Sequence, residues 1–285
     1  MKKRLLISAL ALSFACHTPQ VDSAAPPTVT DKGVRIDYTD TGSDDTALVF
    51  VHGWGLNKSY WSNQVAFFKN HYRVITLDLP GFGNSGKNRT IWDTRAFGDD
   101  IDSVLTQLHV KKAILVGHSM AGDIVLQAAL GEPDRVIGLV GVDNFKEVGH
   151  TMTAQDTAAE TTAYAGLKSH FKDYASAYFN HYLFYKTTPD SIRKRILNDM
   201  THTDSVVAVE CMEQGNLDEA AALENVRMPL CLINSDYMPT DTTGLIAHRI
   251  PYHVWYIHAT GHFPMVEDPG AFDTALAQAI TLIRL

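Results

Sequence analysis

Short, wholly apolar runs alternate along this chain with segments of helical spacing, and that alternation restricts the fold more than any other feature. Residues 47–51, 113–116, 136–142 and 230–233 carry no polar side chain. A strand written that way buries both of its faces, the habit of a parallel sheet covered by helices on each side. Between such runs, Ile101, Val104, Leu105 and Leu108 repeat at the spacing of one helical face within residues 99–108. Residues 120–130, 241–248 and 271–283 read as further helices, and 34–41, 72–77 and 254–257 as further strands. The expected fold class is α/β, with a mostly parallel, doubly wound central sheet.

The alternation stops between residues 146 and 225. That stretch has few Gly or Pro and many Ala, Tyr, His and charged residues, so it reads as helices without strands. It is expected to be a helical cap or lid inserted over one edge of the sheet. The core is then built from residues 34–145 and 226–285, and the aromatics of the inserted stretch either pack the cap's own interior or line an apolar pocket.

The first 33 residues belong to neither part. Lys2, Lys3 and Arg4 precede an apolar run at 5–15, followed by Cys16 and a polar stretch. A basic start, a short apolar run and small residues before a cut site form an export signal. Eleven residues fall short of the about 20 that span a bilayer. The expected organisation is a signal segment at 1–15 and a linker at 16–33. Ala15-Cys16 is similar to a lipoprotein processing site, which would attach the chain to a membrane through Cys16; ordinary cleavage near Ser23-Ala24-Ala25 is the alternative. The expected location is the periplasm, a membrane anchor, or the exterior.

Charge narrows the partners. There are 24 basic and 32 acidic residues, a formal net charge of −8. Loss of the three basic residues at the start leaves the remainder more acidic still. A nucleic-acid partner is excluded, because displacing phosphate counterions needs a basic face. In an oxidising compartment Cys211 and Cys231 either pair or stay as two separate buried thiols.

Four motifs each follow a strand. Gly117-His118-Ser119-Met120-Ala121-Gly122 lies between an apolar strand and a helix, where a tight turn lifts the Ser119 hydroxyl clear of the sheet. Val51-His52-Gly53-Trp54-Gly55 follows an earlier strand, and Thr260-Gly261-His262-Phe263-Pro264 the last one. Asp78-Leu79-Pro80-Gly81-Phe82-Gly83-Asn84-Ser85 is read as a structural turn at the rim of a site, and Glu267-Asp268-Pro269 as a cap for the final helix.

In this order and spacing the motifs resemble the α/β-hydrolases, of the serine esterase and lactonase branch. The resemblance covers residues 34–145 and 226–285, and departs from the commonest pattern in having Ala121 at the usual second glycine. It implies Ser119 as nucleophile and His262 as general base. The backbone N–H groups of Trp54 and Met120 become the oxyanion donors. The stretch from His52 to Asn57, with Trp61, is similar to the pimeloyl-ester carboxylesterases. A carboxylate must hold the base. In these families it commonly follows the penultimate strand, here Ile233-Asn234-Ser235-Asp236-Tyr237-Met238-Pro239, where the slot before the proline holds Met238 and Asp236 stands two residues early. Some relatives carry the acid one strand earlier, which here is Asp143. Asp143 is the first candidate and Asp236 the alternative.

A Ser nucleophile with a His base performs acyl transfer through an acyl-enzyme. The expected activity is a carboxylesterase on a small-molecule ester. The alternatives are a lactonase, including one for acyl-homoserine lactones, a C–C bond hydrolase or cofactor-free haloperoxidase, and a non-catalytic binding protein of the same fold. No HExxH, CxxC or phosphate loop is written into the chain, so no metal or cofactor is expected.

Overall fold

The computed structural model describes residues 27–285, apart from 43 and 216. The export segment, its cleavage site and Cys16 lie outside the described residues. Eight strands form one sheet: β1 (Thr28–Asp31), β2 (Val34–Asp40), β3 (Thr46–Val51), β4 (Arg73–Leu77), β5 (Lys112–His118), β6 (Val136–Val142), β7 (Leu230–Ser235) and β8 (Tyr252–Ile257). Their order across the sheet is β1-β2-β4-β3-β5-β6-β7-β8. The pairs β1/β2 and β2/β4 are antiparallel, and every pair from β4 to β8 is parallel. This is the α/β class expected from the apolar runs. β1 is the departure: it falls within the stretch expected to be a linker. Four residues pairing as an edge hairpin leave no apolar alternation long enough to read.

Helices cover both faces. They are α1 (Ser62–Phe68), α2 (Thr94–Gln107), α3 (Ala121–Gly131), α4 (Ala154–Tyr178), α5 (Asp190–His202), α6 (Ser205–Gln214), α7 (Glu219–Leu223), α8 (Thr243–Ala247), α9 (Pro264–Glu267) and α10 (Pro269–Ile283). Alternate residues of one strand serve different cores. Ala47, Val49 and Val51 pack with Phe97, Ile101 and Val125 of α2 and α3, while Leu48 and Phe50 pack with Phe272, Leu276 and Ile280 of α10. The period of 2 along a strand explains why these runs must be apolar throughout. Truncating such a residue, Leu115→Ala for example, costs about 2–5 kcal/mol. Several helices start at a side-chain cap: Asp93 accepts from Ala96 N–H at 2.7 Å before α2, and Asp268 accepts from Ala271 N–H at 3.0 Å before α10.

The strand order creates one crevice. From β3 the chain passes to β4 on one side and then to β5 on the other. At such a switch point the loops after two neighbouring parallel strands diverge, and a pocket opens at their carboxyl ends. Val51 is in register with Gly117 and His118 with Val142. The segments after β3, β5 and β6 therefore emerge side by side.

Helices α4–α7 fill the interval between β6 and β7. They cover the strand ends rather than an edge of the sheet. Met200 of α5 packs on Gly55 after β3, where a Cβ would come within 3.0 Å of it. The Trp54 ring meets Phe171 and Phe179 at centroid distances of 5.9 and 5.8 Å. The apolar face of the insertion finds its cover in the loops of the crevice, which offer more aromatic surface than a sheet edge does. A π-helical turn at Phe179–Leu183 ends α4 above the crevice.

Candidate active site

Ser119 begins the site. β5 delivers it to a turn in which its own φ is +54°. An L-residue reaches that region only when its surroundings insist. The constraint is visible on both sides: a Cβ at Gly117 would lie 2.2 Å from the Ala121 carbonyl oxygen, and one at Gly122 would lie 2.2 Å from the Asn144 side chain. These two glycines let strand and helix cross closely, so Ala121 at the usual glycine position is harmless. The Ser119 N–H donates to Val142 O at 2.9 Å, tying the turn to β6.

His262, Ser119 and Asp143 meet. His262 Nε2 is 2.8 Å from Ser119 Oγ, and His262 Nδ1 is 2.6 Å from Asp143 Oδ2. With the carboxylate accepting at Nδ1, that nitrogen carries the hydrogen, and Nε2 is free to accept the serine proton. Asp143 is itself in the left-handed region, at φ +49°. Its N–H donates to Ile233 O at 3.1 Å, and its Oδ1 accepts from both the N–H and Oγ of Ser235 at 2.8 Å. Lys146 Nζ lies 2.8 Å from the same Oδ1. Burial alone would raise the Asp143 pKa; the hydrogen bond and charge of His262, with the charge of Lys146, outweigh it and hold the carboxyl well below the usual range.

Asp236 lies elsewhere. Its carboxylate is exposed and pairs with His258 Nδ1 at 2.7 Å. Of the two acids weighed from the sequence, only Asp143 touches His262. β7 contributes a support through Ser235 rather than an acid.

The expected oxyanion donors border the pocket. Trp54 and Met120 both line it with Ser119 and His262. Among the described residues, no acceptor is bonded to either backbone N–H. The loop that holds Trp54 is pinned from below. His52 is fully buried; its Nδ1 donates to Gly53 O at 2.8 Å, and its Nε2 accepts from Leu79 N–H at 3.0 Å. Gly53 has no room for a side chain, since a Cβ there would lie 2.7 Å from His118 Nδ1 and 3.1 Å from Ser119 Cβ. Trp54 Nε1 donates to Ala208 O at 2.7 Å, joining this loop to α6.

Several supports escaped the sequence reading. His118 Nε2 donates to the His262 carbonyl at 2.7 Å, and the two rings are 4.8 Å apart. Burial first, then the neighbouring His262, push the His118 pKa down to about 3, so it stays neutral. Glu267 accepts from the Gly261 N–H at 3.0 Å and so holds the His262 loop; Asp268 alone caps α10. The His262 N–H donates to Leu183 O at 2.8 Å, in the π-helical turn above. Lys146 carried no motif; its position three residues after Asp143 is the only trace in the sequence.

The pocket over Ser119 encloses about 280 Å³. Its walls mix aromatic side chains, among them Trp54, Phe97, Tyr178 and Phe179, with two carboxyl groups, Asp123 and Glu160. Cys211 lines it too; it and Cys231 are separate buried thiols, each pushed by burial up to about 12.

Known proteins share this framework. The 3-oxoadipate enol-lactonase 2 of Acinetobacter baylyi is 24% identical over 254 residues, which are 87% of this chain and 94% of that enzyme. The pimeloyl-(acyl-carrier protein) methyl ester esterase of Aliivibrio fischeri is 37% identical over 105 residues, 37% of this chain and 39% of that enzyme. The crystal structure of a bromoperoxidase from Bacillus anthracis superposes with a TM-score of 0.78 at 23% identity, over 87% of this chain and 96% of that one. Residues 46–269 match the family described as the alpha/beta hydrolase fold, and they include the Ser119 turn, the β3 loop and the His262 loop. With eight strands in this order and Ser119 raised between β5 and α3, the chain belongs to the alpha/beta hydrolase fold family.

Proposed function

We propose that the protein is a serine carboxylesterase working through an acyl-enzyme. The observation that carries this reading is the unbroken chain of hydrogen bonds from Ser119 Oγ through His262 to Asp143, at the floor of an enclosed pocket. Ser119 Oγ attacks the ester carbonyl carbon while His262 Nε2 takes the hydroxyl proton. The Trp54 and Met120 N–H groups donate to the developing oxyanion, and Asp143 stabilises the imidazolium. Collapse breaks the bond to the alkoxy group, which leaves with the proton from His262. A water then loses its proton to His262 and attacks the acyl carbon; the bond to Ser119 Oγ breaks, Oγ takes the proton back from His262, and the acid is released. In the same reading helices α4–α7 act as the cap that excludes bulk water. We also place the enzyme outside the cytoplasm, on the basic start and apolar run of residues 2–15.

The full-length likeness to an enol-lactonase favours a second reading as a lactonase, whose chemistry is the same attack on a cyclic ester. A 3-oxoadipate lactone carries a carboxylate, and among the described residues lining the pocket there is no Lys or Arg to receive it. Esters therefore stand first. The test is a series of p-nitrophenyl esters of increasing chain length with Ser119→Ala as control, beside labelling by a serine-directed phosphonate. Turnover and labelling lost together in the variant are expected; absence of both in the native protein rejects an enzyme of this type.

A further inference from the structure

Asp123 occupies the first turn of α3, four residues after Ser119, and lines the same pocket. Its Oδ1 is buried and receives no hydrogen bond from any described residue. Asn144 is within hydrogen-bond reach of the carboxyl, and Glu219 faces it from α7. Both acids are pushed up by burial. Glu219 is pushed further, by Asp123 itself and by nearby Asp218 and Glu147. Burial and mutual repulsion leave the pair one proton and one negative charge, and Asp123 is the member that lines the pocket. Its place at the N-terminus of α3 also favours that charge.

Glu160, an exposed residue that also lines the pocket, accepts a hydrogen bond from the Tyr164 hydroxyl at 2.6 Å. Among the described residues lining the pocket there is no Lys or Arg. His118 is held neutral, as above. Aromatic side chains of Trp54, Phe97, Tyr178 and Phe179 also line the pocket, and the Phe97 ring already carries the Arg89 guanidinium at 4.5 Å from its centroid. Carboxylates without a counter-cation, set among aromatic rings, are the surroundings in which an organic ammonium group is most stable. A substrate carboxylate in the same place would meet like charge in a medium that screens it poorly.

We propose that the pocket is built for esters or lactones that carry an organic ammonium group, with Asp123 as the specificity-determining residue that receives its charge. The proposal deepens the esterase reading and rests on it. The cation sets its charge beside the Asp123 carboxyl, which no Lys or Arg among the described lining residues pairs, and lies against the aromatic side chains. Neutral esters are turned over more slowly, and esters with a free carboxylate are rejected.

The experiment uses isosteric pairs on the full protein. In one pair the charge is in the acyl part: p-nitrophenyl 4-(trimethylammonio)butanoate against p-nitrophenyl 5,5-dimethylhexanoate. In the other it is in the alcohol part: butyrylcholine against 3,3-dimethylbutyl butyrate. The p-nitrophenyl monoester of glutaric acid supplies the anion. In at least one pair the cationic ester should exceed its neutral isostere in kcat/KM by about tenfold. Asp123→Asn should reduce that ratio to within about threefold. The ratio is taken within one preparation, so a change in the folded fraction does not move it. If Asp123→Asn does not fold, the same fall of the ratio is read in Asp123→Ser. Equal rates within both pairs, a glutarate ester as good as the neutral one, or a preference that survives the substitution overturns the proposal. If none of the esters is hydrolysed, or Ser119→Ala hydrolyses them as well as the native protein, the esterase reading itself has failed.

Discussion

Lys146 lies 2.8 Å from Oδ1 of Asp143, on the carboxylate oxygen opposite the one that bonds His262. A cation there draws charge from the acid that must stabilise protonated His262. Lys146→Met should therefore move the low-pH limb of kcat/KM to higher pH, by about 0.5–1 pH unit. The check is a pH–rate profile on one neutral ester. An unmoved limb means that the lysine serves only the Met238 carbonyl, to which it donates at 2.9 Å.

The two aspartates weighed for the acid role should separate sharply. Asp143→Asn leaves a donor facing His262 Nδ1 and so favours the wrong tautomer; kcat should fall about 1,000- to 10,000-fold. Asp236→Asn disturbs only an exposed pair with His258, and such pairs contribute about 0–1 kcal/mol. Its kcat should stay within about twofold of the native value. Steady-state kinetics on both variants decide the assignment, and the opposite ranking would return the role to Asp236.

Gly53→Ala tests the donor loop. The new Cβ must push against His118 Nδ1 and Ser119 Cβ, 2.7 and 3.1 Å away. The Trp54 N–H would then be displaced from the developing oxyanion, lowering kcat about 100- to 1,000-fold with a much smaller change in KM. Equal changes in kcat and KM, or none in either, would show that the loop serves binding or packing alone.

The Asp123–Glu219 pair makes a prediction about stability. A carboxyl raised on folding keeps a proton that the unfolded chain surrenders at ordinary carboxylate pH. Its stability contribution is complete below that range and is lost as pH rises through the folded value. Glu219→Gln keeps a donor toward Asp123 without the titration. Its melting temperature, relative to native, should climb between about pH 5 and about pH 9, each kcal/mol appearing as about 2–4 °C. A difference that stays flat across this range would mean that no proton is held there.

Much of this arrangement was written locally. The apolar runs announced the parallel strands because a doubly covered strand tolerates no polar side, and the glycines around Ser119 announced the turn because they serve contacts within a few residues of it. Asp143 was harder. Met238 in the commonest slot pointed away from β7, but no local pattern states that β6 and β7 end side by side. Only pairing of Val142 with Ile233 brings Asp143 to Ser235 and His262. Glu267 was misjudged for a related reason. Its neighbour Asp268 does cap α10, while Glu267 turns back to the Gly261 N–H, a contact set by the path of the loop rather than by its composition. β1 was missed because a short edge strand, half of it in solvent, needs no apolar pattern.

The bond from His262 N–H to Leu183 O joins the roof of the pocket to the residue proposed as the general base beneath it. A roof fastened in this way cannot be exchanged as an independent part. Grafting the helices of a relative between β6 and β7 would replace the strut that orients the imidazole together with the walls that choose the substrate. Selectivity and turnover are thus inherited together in this molecule, and broadening one by swapping helices would unsettle the other. Single substitutions on the pocket walls, away from residues 179–183, are the route by which its substrate range can change while the proton path stays in place.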